Sequence, residues 1–152
     1  MKGVLTALFI TTAISGFSQN VITFRQAEKL GVRVAELDSI YPSALHSDSA
    51  KAVFPNREQE FTRAYKQTLQ ELGNFLKQHK FSWGKETKSF NRIYFSKNGQ
   101  IDYFLYNFKE GEITAEKEKQ FSLLLMQFIK DYKFPLEAET GFSQCSPVRY
   151  ND

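Results

Sequence analysis

The sequence predicts an α+β domain in which two amphipathic helices pack on a three-stranded, mainly antiparallel sheet. Two segments, residues 57–79 and 114–133, repeat apolar side chains at three- and four-residue steps, which is typical of helices with one buried face. Between them, an Asn98-Gly99 turn separates two strand-like segments. A further strand-like segment follows at residues 142–150, so the predicted element order is α-β-β-α-β.

The first 18 residues have the pattern of a cleavable signal peptide. Lys2 gives a positive start, residues 4–14 are uncharged and mostly apolar, and Gly16 and Ser18 are the small residues expected before a cut at Gln19. Two alternatives are an uncleaved anchor and a buried N-terminal strand. The apolar stretch is too short for an anchor, since a spanning helix needs about 20 residues. We therefore expect an exported protein, periplasmic or secreted, that is soluble and has no stable membrane span after cleavage.

The next segment, residues 19–55, is the least decided part of the sequence. Thr23 is a good N-cap for a short helix over residues 24–30, and Gly31 would end it. Residues 32–40 fit neither the helical nor the strand period. Two prolines and a polar stretch then favour a loop over residues 41–55, so we predict a partly helical N-terminal segment before the α+β domain of residues 56–152.

The first long helix is predicted over residues 57–79. Asn56 is a suitable N-cap, and Glu58 and Glu60 stand in the first turns, where the helix dipole favours negative charge. One face of this helix carries an apolar stripe: Phe61, Tyr65, Leu69, Leu72 and Leu76. Gly73 lowers helix propensity without ending the pattern.

A β-hairpin follows, with strands over residues 90–96 and 101–108. Both strands are rich in aromatic and β-branched residues, and Asn and Gly at the turn tolerate positive φ. Thr114 is then the predicted N-cap of the second long helix, which Phe134-Pro135 ends. In the last strand, residues 142–150, Pro147 indicates an edge position, because proline cannot donate to a neighbouring strand.

Composition argues against several classes of function. The net charge is only +3 and no basic run occurs, so we expect no nucleic-acid partner. His46 and His79 lack the spacing of a zinc site, and no catalytic or cofactor motif is present, so we predict a non-enzymatic protein without metal or cofactor. Cys145 is the single cysteine and cannot form an internal disulfide; we expect it to be a small buried residue in the last strand.

The abundant aromatic residues, 15 Phe, 7 Tyr and 1 Trp, suggest a binding surface. Alternate residues of a strand point to opposite faces, so Phe104, Tyr106 and Phe108 share one face, while Ile101, Tyr103 and Leu105 share the other. Only one face can be covered by the two long helices. The second would be exposed unless residues 20–40 cover it, and both outcomes stay open at this point. The candidate partner-binding residues are Phe104, Tyr106, Phe108, Tyr94 and Trp83.

The element order and the hairpin RIYFSKNGQIDYFLYNF resemble the C-terminal domain of TonB and TolA proteins over residues 54–150. The chain departs from that family in three ways: we expect no lasting membrane anchor after cleavage, the sequence shows no proline-rich spacer, and Lys133-Phe134-Pro135 stands where the family has a tryptophan-proline pattern. The resemblance implies a binding mode in which a peptide adds to an exposed sheet edge, here residues 142–150. It implies no role for any individual residue.

Two functions follow as expectations. The first is an exported interaction module that binds an envelope protein or a peptide through the aromatic sheet face or the edge strand. The alternative is a small exported enzyme or ligand-binding protein with a pocket between helices and sheet.

Overall fold

The computed structural model describes residues 20–152, so the predicted signal peptide lies outside the described residues. The predicted α+β class and the α-β-β-α-β order are confirmed. In chain order, the elements are β1 (Asn20–Thr23), α1 (Phe24–Lys29), α2 (Val34–Ile40), α3 (Glu58–Gln78), β2 (Thr87–Phe95), β3 (Ile101–Phe108), α4 (Ala115–Asp131) and β4 (Phe142–Tyr150). A single 3-10 turn, Ser49–Lys51, lies in the connection between α2 and α3.

The sheet has four strands in the described residues, in the order β1-β3-β2-β4, and not the three that the sequence predicts. The additional strand is β1, which pairs in parallel with β3 and places Val21 beside Phe104. β2 pairs antiparallel with both β3 and β4. The predicted edge position of residues 142–150 is confirmed, since β4 lies at the end of this order.

Helices α3 and α4 cover one face of the sheet and form the main core with it. Thr114 caps α4 as predicted, through its side chain and the backbone N–H of Lys117. Asn56 does not cap α3: it has φ +59, in the left-handed region, and Arg57 precedes the first helical residue. The two helices meet through Phe75 and Phe128, whose ring centroids are 5.6 Å apart.

The opposite face is partly covered by α1 and α2. Thr23 caps α1 in a capping box with Gln26, and Gly31 follows it with φ +72, as the sequence predicts. A second, smaller core forms between these helices and the sheet, around Ala27, Leu37, Tyr94 and Leu105. Residues 20–40 therefore supply part of the cover that the sequence left open.

A β-bulge in the hairpin changes which residues share a face. Tyr94 pairs with Tyr103, but Phe95 pairs with Ile101, so Asp102 is an extra residue in β3. The expectation that Ile101 lies with Tyr103 and Leu105 is therefore wrong. Ile101 is fully buried in the main core, whereas Tyr103 and Leu105 contact the smaller one.

Candidate interaction surface

The structure places the five sequence-predicted contact residues inside the domain. Tyr94, Phe104, Tyr106 and Trp83 are all at most 5 % exposed, and Phe108 is partly buried against the main core. Tyr106 meets Phe121 of α4 edge-on, at 5.3 Å between ring centroids. These rings fill the interior beneath α4 and α1–α2, so they do not form an aromatic face that a partner could contact.

The sequence predicts binding either through the aromatic sheet face or through the edge strand. Since the aromatic residues are buried, the outer edge of β4 is the candidate that the structure leaves. At its start this edge is occupied, because Ser143 donates its backbone N–H to Pro42 and accepts one from Ala44 through its carbonyl. In an antiparallel ladder, alternate residues turn their polar backbone groups away from the paired strand. The backbone groups of Cys145, Pro147 and Arg149 therefore point outward, and no described strand pairs with them.

Proline is well suited to this edge. Pro147 lies opposite Phe90 of β2, at a position whose N–H would point outward, so its missing donor removes no bond of the sheet. The Cys145 carbonyl accepts a hydrogen bond from the Gln144 side-chain amide at 2.9 Å. The groups left to pair with an added strand are the Cys145 N–H, the Pro147 carbonyl, and both backbone groups of Arg149.

Beside this edge, one part of the sheet face is not covered by α1–α2. We call it the β2–β4 surface; it consists of Lys88, Phe90, Arg92, Cys145, Pro147 and Arg149, which share one face by register. Phe90 is 39 % exposed, and its only close ring neighbour among the described residues is Phe24 at 6.0 Å. The surface thus joins an apolar centre to basic side chains.

The charges on this surface are partly neutralised from within the chain. Glu86 lies 3.9 Å from both the Lys88 ammonium and the Arg149 guanidinium, and all three side chains are well exposed. Exposed pairs of this length contribute little, so Lys88 and Arg149 stay accessible to other partners. Arg92 is different, because Asp38 of α2 binds its guanidinium at two points.

The Asp38–Arg92 pair forms the boundary between the covered and uncovered parts of the face. Asp38 also accepts the hydroxyl of Tyr94 at 3.0 Å. Burial, reinforced by the Asp38 carboxylate and opposed by the Arg92 charge, raises the pKa of Tyr94 well above its usual value, so this tyrosine stays a neutral donor. Nearby, the hydroxyl of Tyr41 donates to Asp102 at 2.9 Å and fastens the end of α2 to β3.

Cys145 is exposed, which corrects the expectation that it is a buried residue of the core. It lies opposite Arg92 on the β2–β4 surface, at the boundary of the part of the face that α1–α2 cover. The alternation within β4 cannot reveal this, since the extent of cover depends on a distant segment.

Both histidines, His46 and His79, are exposed. The Nδ1 of His46 accepts the Asp48 backbone N–H, and His79 contacts the Phe75 carbonyl at the end of α3. Within residues 20–152, no three His, Cys, Asp or Glu side chains cluster as metal ligands would. In that same range, no helix has both the length and the apolar content to cross a bilayer.

The sequence did not indicate a set of hydrogen bonds just beyond the C-terminal end of β4. The carboxylate of Asp152 accepts hydrogen bonds from the segment Ser82–Gly84. In the sequence, Gly84 is the residue that could have indicated this contact, because glycine readily adopts the left-handed conformation, here φ +74, that lets backbone N–H groups converge on an anion.

Comparison with protein-family models, with curated proteins and with solved structures finds no match to this chain.

Proposed function

We propose that this chain is an exported, non-enzymatic interaction module that binds an extended peptide segment of a partner protein by strand addition to β4. The observation that carries the proposal is the outer edge of β4 from Cys145 to Arg149, with its outward backbone groups next to an exposed part of the sheet. An added strand would satisfy these groups directly.

The chain itself supports this binding mode. Residues 42–44 already lie along the start of β4 in parallel, through the hydrogen bonds that join Ala44 and Pro42 to Ser143. The segment then turns back, since Val53 and Phe54 donate to Ser43 and Ala44. A partner strand would continue along the same edge from the point where this internal bridge stops.

The neighbouring side chains indicate what the partner segment carries. A strand beside β4 would place every second side chain next to Cys145, Pro147 and Arg149, with Phe90 on the adjacent strand. Apolar side chains at these positions would bury part of the exposed Phe90 ring. We therefore propose an extended segment with apolar residues at alternate positions.

Strand addition is tested by substituting a single edge residue in two ways. Arg149→Pro removes an outward N–H without removing a bond to β2, whereas Arg149→Ala keeps the N–H and removes only the side chain. Nonapeptides displayed on phage are selected against the purified domain, and one selected peptide is titrated while the backbone amides are followed by NMR. We expect shifts at Cys145 and Arg149, loss of binding in Arg149→Pro, and retained binding in Arg149→Ala.

Three results would contradict strand addition: selection that yields no binding peptide, shifts that map away from β4, or unchanged binding by Arg149→Pro. A thermal melt of both variants shows whether the fold is retained. Export is tested separately by expressing residues 1–152 in a bacterial host and measuring the mass of the product. We expect a mature chain that begins at Gln19 and is released with the periplasm; an intact chain that starts at Met1 would contradict export.

A further inference from the structure

A shallow depression lies between the second half of α3 and the segment that leads into β2. Its volume is about 690 Å³. Leu76, Phe81 and Trp83 form its apolar floor, and each is at most 6 % exposed. Amide and ammonium groups surround this floor, from Gln70, Asn74, Lys77 and Lys80. The depression thus combines an apolar base with a rim of hydrogen-bond donors, as small-ligand sites do.

At one side of this depression the backbone forms a receptor for a carboxylate. Trp83 and Gly84 donate successive backbone N–H groups to the Asp152 carboxylate at 2.6 and 3.0 Å, and the Ser82 hydroxyl donates at 2.8 Å. Gly84 has φ +74, the left-handed conformation that lets consecutive N–H groups converge on an anion. These donors, the Ser82 hydroxyl foremost, hold the pKa of Asp152 below its usual value.

A positive charge lies next to this receptor. Lys117 of α4 donates its ammonium to the Trp83 carbonyl at 2.9 Å. The ammonium thereby lies close to the receptor without occupying it. Three donors and a nearby cation favour an ionised carboxylate over a neutral group.

Two residues of the depression depart from local backbone preferences. Gly73 stands in the middle of α3, where glycine destabilises a helix relative to alanine, yet a Cβ there would meet no atom within 4 Å. Lys80 follows the end of α3 with φ +56, where glycine is the usual residue. Packing does not require Gly73, and its missing side chain keeps the depression open. Such departures concentrate at functional sites.

We propose that this depression binds a small carboxylate-bearing molecule, whose carboxylate takes the place of Asp152 on the Ser82–Gly84 receptor. Lys77 and Lys80 supply further positive charge at the rim, and the apolar floor contacts the carbon skeleton of the ligand. Asp152 is then an internal competitor that occupies the receptor in the absence of ligand. This site is separate from the peptide-binding edge proposed above and does not depend on it.

The test uses Trp83 as its reporter, because it is the single tryptophan of the chain and lies in the depression. Succinate is titrated against the domain at constant ionic strength, with tryptophan fluorescence and the amide signals of Trp83 and Gly84 as readouts. We expect a saturable response, and binding about tenfold tighter in Asp152→Asn, since the receptor is then vacant for more of the time. The matched control is Asp131→Asn, which removes the same charge from an exposed position outside the depression and leaves the affinity unchanged.

A second variant separates binding from stability. Gly73→Leu fills the depression and improves helix propensity, so we expect succinate binding to be lost while the melting temperature stays equal or rises. If the larger side chain lowers the melting temperature, Gly73→Ala replaces it, with weaker binding expected.

The proposal is overturned by any of four results. These are no saturable response in either the wild type or Asp152→Asn, equal affinity of these two proteins, a tightening by Asp131→Asn as large as that by Asp152→Asn, and a stable Gly73→Leu variant that binds as tightly as the wild type. A parallel titration with inorganic phosphate tests the ligand class. Tighter binding of phosphate than of succinate would overturn the assignment to a carboxylate.

Discussion

Arg92 of β2 and Asp38 of α2 form a two-point ion pair, with Nε to Oδ1 at 3.1 Å and Nη2 to Oδ2 at 2.5 Å. Both side chains are partly shielded from solvent, at 24 % and 36 % exposure. Helices α1 and α2 have only six and seven residues, so neither would be stable alone in water. Their position therefore depends on the smaller core and on this ion pair.

Asp38→Asn is expected to loosen α1–α2 and to lower the free energy of unfolding by about 1–3 kcal/mol, because it leaves the Arg92 charge without its partner. Amide hydrogen exchange should accelerate in Val34–Ile40 more than in α3. Glu36→Gln is the matched control, because its ion pair with Arg33 is exposed and contributes less than about 1 kcal/mol. Equal effects of the two variants would show that the Asp38 pair does not hold the helices.

Phe104→Ala is expected to destabilise the domain by about 3–5 kcal/mol, since the ring is 1 % exposed and its removal leaves a cavity in the main core. Phe90→Ala removes the same side chain from the β2–β4 surface and should cost about 1 kcal/mol or less. Urea unfolding midpoints of both variants measure the difference. A Phe104→Ala variant with wild-type stability would place this ring on a surface, contrary to its burial here.

Local patterns in the sequence predict those elements that depend on neighbouring residues. The stripe from Phe61 to Leu76 predicts α3 to within a residue at each end, and residues 142–150 form β4 with the predicted bounds. The apolar periodicity of α3 is strong. The same holds for Thr114, whose capping role needs only the three residues that follow it.

The missed features depend on contacts between distant parts of the chain. β1 has four residues, too few for a period, and it becomes a strand only by pairing with β3. Cys145 is exposed because α1–α2 end short of it, and Asp152 reaches a receptor that belongs to the connection before β2. No spacing within one segment contains this information, so neither the β2–β4 surface nor the depression could be located from the sequence.

Gly99→Ala is expected to destabilise the hairpin by about 2–3 kcal/mol. Gly99 has φ +79, and a Cβ there would lie 2.8 Å from the Phe134 carbonyl oxygen, which is backbone and cannot move freely. Its own carbonyl accepts the Phe134 N–H at 2.8 Å, so the turn and the segment that follows α4 would have to separate. Gly111→Ala is the control: φ is similar at +74, but no atom lies within 4 Å. It should cost only about 1–2 kcal/mol for the conformation itself, and thermal melts that showed equal losses would mean that the close contact is unimportant.

Alkaline pH is expected to unfold the domain through its buried tyrosines. Burial raises the pKa of Tyr65 and of Tyr132 from 10 to about 12, although each hydroxyl has a hydrogen-bond partner, Ser146 and Thr68 respectively. Below pH 10 both groups are protonated in the folded and unfolded chains, so their full contribution to stability is present. Between pH 10 and pH 12 the unfolded chain ionises first and releases protons that the folded chain keeps, so the free energy of unfolding falls as pH rises.

This fall is measured by urea unfolding at a series of pH values, together with the ultraviolet absorbance of tyrosinate. Tyr65→Phe removes one of the titrating groups, so the loss of stability above pH 10 should be shallower than in the wild type by about one proton. If other groups were responsible, both proteins should lose stability in parallel above pH 10, and stability that stayed constant up to pH 12 would contradict the burial of these hydroxyls. The expected result is a tyrosinate signal that appears together with unfolding, because in the folded chain the main core keeps both hydroxyls protonated.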